Sequence, residues 1–381
     1  MECYLDNSAP TAVDEEVASL LGKLMTKGFG NPSSLHNIGF EAEKVLDAAK
    51  RDLAKILRCQ ESELIFTSGG SESNNQALTG SFLANTRRAK HIITTAIEHP
   101  SVSETLEFLK AYGCRVDILG VDGDGHIDLS ELESLLQPDT LLVSIMHVNN
   151  ETGAVEPIAE AGKLIKEKSP GCIFHVDDVQ GFGKLKLVPK EAGIDLLSVS
   201  AHKLHGPKGA GLLYAKTGVK LSPLIFGGGQ QAGRRSGTEN VPGAAGLAFS
   251  AKKLYDNLDE NFKKLQELRA VLLDNLDELE GISVNGGDAP HIVSLTVQDV
   301  RSEVLLHALE QNGIYVSAGS ACSSHKKNSV SKTLTAMGLS EKEASSTIRI
   351  STSSKNTVEE MLYTAETIKK EVKNLRRFVR R

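Results

Sequence analysis

Lys203 stands in "SVSAHKLHGPKG" (residues 198–209), after an apolar run of Ile194, Leu196, Leu197 and Val199 and before a Gly-Pro-Lys-Gly turn. An ordinary lysine at a strand end keeps its ammonium in water and buries only its stem. A lysine drawn into a dry cleft loses its proton more readily, and the neutral amine condenses with an aldehyde to a Schiff base. Pyridoxal 5'-phosphate (PLP) is a common cofactor aldehyde. A chain that uses it must also supply an acid for the pyridine nitrogen, a group that stacks on the ring, a phosphate cradle and a clamp for a substrate carboxylate.

Candidates for each part are present. In "FHVDDVQ" an apolar strand finishes with Asp177, Asp178 and Gln180. A carboxylate against the ring nitrogen keeps it protonated, but strand alternation points the two aspartates to opposite faces and does not choose between them. In "FTSGGSESNN" a strand runs into Ser68, Gly69, Gly70 and Ser71 and then a helix. Small residues there let backbone N–H groups converge on phosphate oxygens, helped by the helix N-terminus. His99 in "AIEHPS" ends another strand, where it could stack on a ring. Arg349 in "STIRIST" lies between apolar neighbours, so it needs an anion: a substrate carboxylate, or a nearby Asp or Glu. Asn150 in "MHVNNETG" could complete such a clamp.

These segments need a frame. Apolar, β-branched runs start near Glu63, His91, Leu141, Cys172, Leu196 and Gly209 and alternate with stretches of helical period, which predicts an α/β fold with a mostly parallel sheet covered by helices. In "AEKVLDAAKRDLAKIL" the stripe Val45, Ala49, Leu53, Ile56 would face the sheet. From Leu254 to Leu279 leucines at helical spacing predict one long connecting helix, stopped at Gly281. Beyond it, "HIVSLTV", "EVLLHALEQNG" and "STIRIST" read as strand, helix and strand of a smaller α+β domain. The expected division is a large domain over residues 14–250, with 1–13 and 251–381 forming the small one.

Composition sets the class. The 381 residues, 40% of them hydrophobic, are enough for a sizeable core, and a net charge of -6 argues against a dedicated nucleic-acid binder. The sequence has no membrane-length apolar stretch and no signal-peptide pattern at its start, so a cytoplasmic location is expected. Five scattered cysteines, Cys3, Cys59, Cys114, Cys172 and Cys322, fit neither a disulfide framework nor a metal site. Cys322 differs from the others. It sits in "SAGSACSSHKKNS", polar and close to Lys326 and Lys327, where a thiol could populate the thiolate.

In family order, "YLDNSAPT", "GNPSSLH", "FTSGGSESNN", "EHPSV", "MHVNNETGAVEP", "HVDDVQGFGK", "SAHKLHGPKG", "GGGQQAGRRSGTENV", "SAGSAC" and "IRIS" span nearly the whole chain. On these segments the sequence resembles the cysteine desulfurases of the class V, fold-type I PLP-dependent family. The resemblance implies that Lys203 carries PLP, Asp177 pairs with the pyridine nitrogen, Gln180 approaches the ring hydroxyl and His99 stacks on the ring. It implies further that Gly70, Ser71, Ser200 and His202 hold the phosphate, with Thr238 reaching in from the second subunit of a homodimer. Asn150 and Arg349 would bind the carboxylate of L-cysteine. Lys203 would move the α-proton and the Cys322 thiolate would take the sulfur, leaving L-alanine and a persulfide for an acceptor protein, either a tRNA sulfurtransferase or an iron–sulfur scaffold. The compact form resembles relatives paired with tRNA thiolation, without the extended tail that others offer a scaffold. The chain departs from the family at Pro10, where many relatives have threonine, and at Asp178, where a small residue is common; the paired aspartates are expected to face opposite ways.

Alternatives with the same cofactor are an aminotransferase or a selenocysteine lyase. Outside catalysis stand a sulfur-relay scaffold and a tRNA-binding partner. The last would use the C-terminal "KKEVKNLRRFVRR", where Val372, Leu375 and Val379 recur at helical spacing under seven basic residues. A solvated helix face accounts for the same pattern.

Overall fold

The computed structural model describes residues 1–87, 90–318 and 330–379. A short strand, β1 (Cys3–Tyr4), precedes the strands of the main sheet: β2 (Leu64–Thr67), β3 (His91–Thr95), β4 (Arg115–Leu119), β5 (Thr140–Met146), β6 (Ile173–Asp177), β7 (Leu196–Ser200) and β8 (Gly211–Ala215). Their order is β2-β8-β7-β6-β5-β3-β4. Pairing is parallel from β7 through to β4, and β8 alone runs antiparallel to both of its neighbours. The largely parallel sheet is therefore present, with one reversal. The β7–β8 connection is too short for a helical crossover, so the chain turns back on itself.

Residues adjacent in sequence divide between two helix-covered faces. Ile92, Leu142, Leu196 and Leu213 pack into one core, while Ile93, Val143, Leu197 and Leu212 pack into the other. This is the pattern of a sheet buried on both sides. The helix Asn37–Leu57 covers the second face with Leu46, Ala49, Leu53 and Leu57. The predicted stripe is thus rotated slightly: Ala49 and Leu53 are buried, while Val45 and Ile56 lie at its half-buried flanks.

The expected single connector is two helices, Val241–Tyr255 and Leu258–Asp274, broken at Asp256 and Asn257. Both are poor helix formers, and the second helix restarts with Asp259 and Glu260 in its first turn, where negative charge suits the helix dipole. Leu265, Leu268, Leu272 and Leu276 are buried as their spacing predicts.

The remaining strands, β9 (Ile282–Asn285), β10 (Ile292–Val297), β11 (Ile314–Tyr315), β12 (Ser317–Ala318) and β13 (Thr347–Ser351), form a second sheet of order β12-β13-β10-β9 and a β1–β11 pair. Cys3, Leu5, Leu268, Leu295, Ile348 and Ile350 share a separate core with Met361, Ala365, Ile368 and Val372 of the helix Val358–Val379. That helix thus spends its apolar face inside the molecule. Leu375 packs at the core's edge, and Arg376 donates to the carbonyls of Glu280, Gly281 and Gln298. Among the described residues no helix is long and apolar enough to cross a membrane.

Candidate active site

Because β2, β3, β5, β6 and β7 point the same way, their C-terminal ends share one edge of the sheet. Ligands of open α/β sheets bind at such an edge. A cavity of about 660 Å³ opens there, lined by Gly70, Ser71, His99, Asn150, Asp177, Gln180, Ser200, His202, Lys203 and Arg349 among others. Ten of the twelve singled-out site residues therefore converge.

Lys203 ends a short helical turn, Ala201–Lys203, directly after β7. Its Nζ donates to the carbonyls of Ser8 and Ala9, the latter at 2.9 Å. Asp177, the last residue of β6, accepts from the Val179 N–H at 3.0 Å and from Asn74 Nδ2 at 2.7 Å. Asn74 also donates to Ser101 Oγ at 2.9 Å, and Ser101 Oγ lies 2.8 Å from His99 Nδ1. His99 caps the helix Pro100–Lys110 by accepting from the Ser101 N–H, so a neutral ring carries its proton on Nε2. Burial lowers the His99 pKa, opposed by the nearby Asp177 carboxylate. Glu98 sits behind this group, accepting from the Met146 N–H and from Thr95 Oγ1; burial and then the Asp177 charge hold its pKa well above the usual carboxylate range.

The helix Gly70–Asn85 starts at the end of β2. Gly69 has φ +152°, and a side chain at Gly70 would come within 2.6 Å of Val179, so glycines let the backbone approach closely. Glu72 accepts from the Ser68 N–H at 2.8 Å and pairs with Arg235, which ties the loop before residue 240 to this turn. Ser200 Oγ and His202 Nδ1 lie 2.7 Å apart, and burial pushes the His202 pKa down to about 4.

Arg349 comes from the second sheet, in the middle of β13. Its Nη1 donates to the Asn150 carbonyl at 2.8 Å and its Nη2 to Asp6 at 2.7 Å, while Nε is buried without a partner. Of the two anions open to Arg349, the chain itself supplies a carboxylate from Asp6, and Asn150 meets the guanidinium through its main-chain carbonyl.

Two residues remain. Thr238 is exposed and does not line the cavity of its own chain. Cys322, with Lys326 and Lys327, lies outside the described residues. The other cysteines sit in packed surroundings: burial pushes the Cys59 thiol up to about 12 and the Cys114 thiol to about 11, and Cys172 is buried. Sequence reasoning overlooked Asn74, Ser101, Glu98 and Asp6. Only Asn74 carried a signal, since Gly70 and Asn74 are four apart and fall on one helix face.

A family model described as Aminotransferase class-V matches residues 3–363. The chain belongs to that family. A putative cysteine desulfurase IscS 1 of Bacillus subtilis (strain 168) is 43% identical over 379 residues, 98% of this chain and 99% of the relative. A cysteine desulfurase IscS of Methanosarcina thermophila is 39% identical over 98% of this chain and 92% of its own. Among solved structures, a NifS-like protein superposes with a TM-score of 0.93 at 37% identity, covering 98% of this chain and 100% of that one. SspA in complex with cysteine gives 0.81 at 34% identity over 93% and 100%.

Class V members of the cysteine desulfurase type are PLP-dependent, and the cavity of this class V chain fits PLP. A glycine cradle opens at a helix N-terminus at one end. Buried polar atoms without partners, Asn74 Oδ1, Gln180 Oε1 and Arg349 Nε, surround it, and an unmade hydrogen bond of this kind is costly unless a ligand completes it.

Proposed function

We propose that this protein is a PLP-dependent cysteine desulfurase that converts L-cysteine to L-alanine and holds the sulfur as a persulfide on Cys322. The observation that carries this reading is the convergence of the Lys203 amine and the Asp177 carboxylate, from the ends of neighbouring parallel strands, on one cavity with a glycine cradle and an arginine. Lys203 carries the cofactor. With PLP bound, Asp177 would hold a proton at the pyridine nitrogen, Gln180 would serve the ring hydroxyl and His99 would stack on the ring. The N–H groups at Gly70 and Ser71, with Ser200 and His202, take the phosphate. When bound, PLP supplies an electron-accepting ring that stabilises negative charge at the substrate Cα.

Arg349 and Asn150 orient the substrate carboxylate, and the Lys203 amine moves the proton at Cα. The Cys322 thiolate attacks the substrate sulfur: the Cβ–S bond breaks, an S–S bond forms, Cβ gains a proton, and alanine leaves. Among the cysteines, Cys322 suits this step because its sequence neighbours are polar and basic, whereas burial raises the pKa of Cys59 and Cys114.

The active unit is a homodimer in which Thr238 completes the phosphate site of the partner. Exposure of Thr238, together with exposed Met25, Phe29, Leu35 and Phe226, supports this arrangement, since soluble monomers seldom present many large apolar side chains. Residues 14–250 form the cofactor domain, and residues 1–13 with 251–381 form the domain bearing the cysteine. The sulfur passes to a tRNA sulfurtransferase or an iron–sulfur scaffold in the cytoplasm.

The test is a visible spectrum of the purified protein before and after borohydride, followed by mapping of the reduced lysine and an assay of alanine and persulfide from L-cysteine. Label on Lys203, with Cys322→Ala retaining colour but losing persulfide, is the expected result. Label on another lysine, or undiminished persulfide in the variant, rejects the reading. Sedimentation at twice the 40.9 kDa chain mass tests the dimer.

A further inference from the structure

The glycine cradle carries a charge opposed to the phosphate proposed for it. Glu72 stands in the first turn of the helix Gly70–Asn85 and lines the same cavity as Gly69, Gly70 and Ser71. Its Oε2 folds back to accept the Ser68 N–H at 2.8 Å, so the carboxylate lies across the turn whose N–H groups would receive the ligand. A phosphate group carries about 1.5 to 2 negative charges at neutral pH. One helical turn rises only about 5.4 Å, well inside the roughly 8–10 Å over which salt screens exposed charges. Left unpaired, Glu72 would repel the phosphate and take the positive end of the helix for itself.

The counter-charge comes from a distant part of the chain. Arg235 donates from Nε to Glu72 Oε1 at 2.8 Å and from Nη2 to Oε2 at 3.3 Å, a two-pronged pair in which the side chains are only 22% and 17% exposed. Such a fork fixes the direction of a carboxylate as well as its charge. The loop that delivers Arg235 is stitched to β2, the edge strand of the main sheet. Gln231 Oε1 accepts the Phe66 N–H at 3.2 Å, its Nε2 donates to the Glu239 carboxylate at 2.7 Å, and Arg234 donates to the Ser62 carbonyl at 2.6 Å. Burial opposes the Glu72 charge, but the bonds from Arg235 and Ser68 outweigh it and hold the carboxyl below its usual pKa.

We propose that Arg235 is a positioning residue of the phosphate seat: by holding and neutralising Glu72, it leaves the N-terminus of the helix Gly70–Asn85 to an anion. The inference deepens the reading in which Gly70, Ser71, Ser200 and His202 take the cofactor phosphate, and it rests on that reading.

The experiment is an equilibrium titration of the cofactor-free full chain with PLP, followed by absorbance, beside pyridoxal, which has the aldehyde but no phosphate. Inorganic phosphate serves as a competitor. Arg235→Gln should weaken PLP and inorganic phosphate about tenfold and leave pyridoxal within about twofold, because one unpaired charge within a turn of the anion is worth roughly that factor. Adding Glu72→Gln removes that charge, and the double variant should recover both affinities to within about twofold of the wild type. Unchanged PLP binding in Arg235→Gln, an equal loss for pyridoxal, or a double variant no better than Arg235→Gln overturns the proposal. Should Arg235→Gln fail to fold by circular dichroism, Glu72→Gln alone decides: with the guanidinium no longer neutralised, inorganic phosphate should bind several-fold tighter at low salt, and equal or weaker binding overturns the proposal. Equal wild-type affinities for PLP and pyridoxal would instead reject the phosphate seat itself, and the proposal with it.

Discussion

Asp177 and Asp178 are neighbours in sequence and opposites in environment. On one side of the end of β6, Asp177 faces an open cavity and is held by one amide side chain and one backbone N–H. On the other, Asp178 is sealed away with His147, and burial raises its pKa. The front of the strand end is built to receive a ligand, and the back is already filled by the chain's own groups. One peptide step across a pleat is enough to separate a carboxylate that lines the cavity from one sealed behind it.

The contrast is sharpest under substitution. Asp177→Asn should cut kcat/KM for cysteine by about 10³-fold, equivalent to about 4 kcal/mol of transition-state stabilisation, with little change in thermal stability. Asp178→Asn should do the reverse: it breaks a buried pair, so urea unfolding should report a loss of about 3 kcal/mol while Lys203 still carries the borohydride label. Equal effects of the two variants on kcat/KM would erase the distinction. Arg349→Lys keeps the charge but loses the fork that holds Asn150 and Asp6 together; a loss of about 2–3 kcal/mol, read mainly as raised KM, is expected in steady-state assays. Gly70→Ala should weaken cofactor binding by about 1–2 kcal/mol in equilibrium titration, because the added methyl must displace Val179.

The last effect is read in pH and concerns the middle of the sheet. His175 lies between Ser144 Oγ at 2.8 Å and Ser198 Oγ at 3.0 Å, and burial pushes its pKa down to about 3 from an ordinary 6.5. Between those pH values the unfolded chain binds the proton and the folded one does not, so stability is complete above pH 6.5 and falls as acid is added. The loss is on the order of a few kcal/mol by pH 4, and His175→Gln should flatten this slope in pH-dependent thermal melts.

Much of this frame could be read from the chain. The doubly apolar runs at Leu141 and Leu196 are strands buried on both faces, and the residues closing those runs and their neighbours line one cavity. Alternation showed that Asp177 and Asp178 must part company, but not which would face the cavity, because the chemistry on each side comes from residues remote in sequence. Asn74 reaches Asp177 across 103 positions, and Asp6 reaches Arg349 across 343. Periodicity reports which way a side chain points and is silent on what waits there. The same limit explains the connector: leucine spacing continues through Asp256 and Asn257, although the helix does not.

The ion pair between Arg349 and Asp6 has a consequence for turnover. The guanidinium is already neutralised by Asp6, so under the proposed function an incoming carboxylate would gain only the difference between two carboxylates. By the same exchange Asp6 would reclaim the guanidinium as a product carboxylate left, so the pair can act as a built-in competitor at this seat.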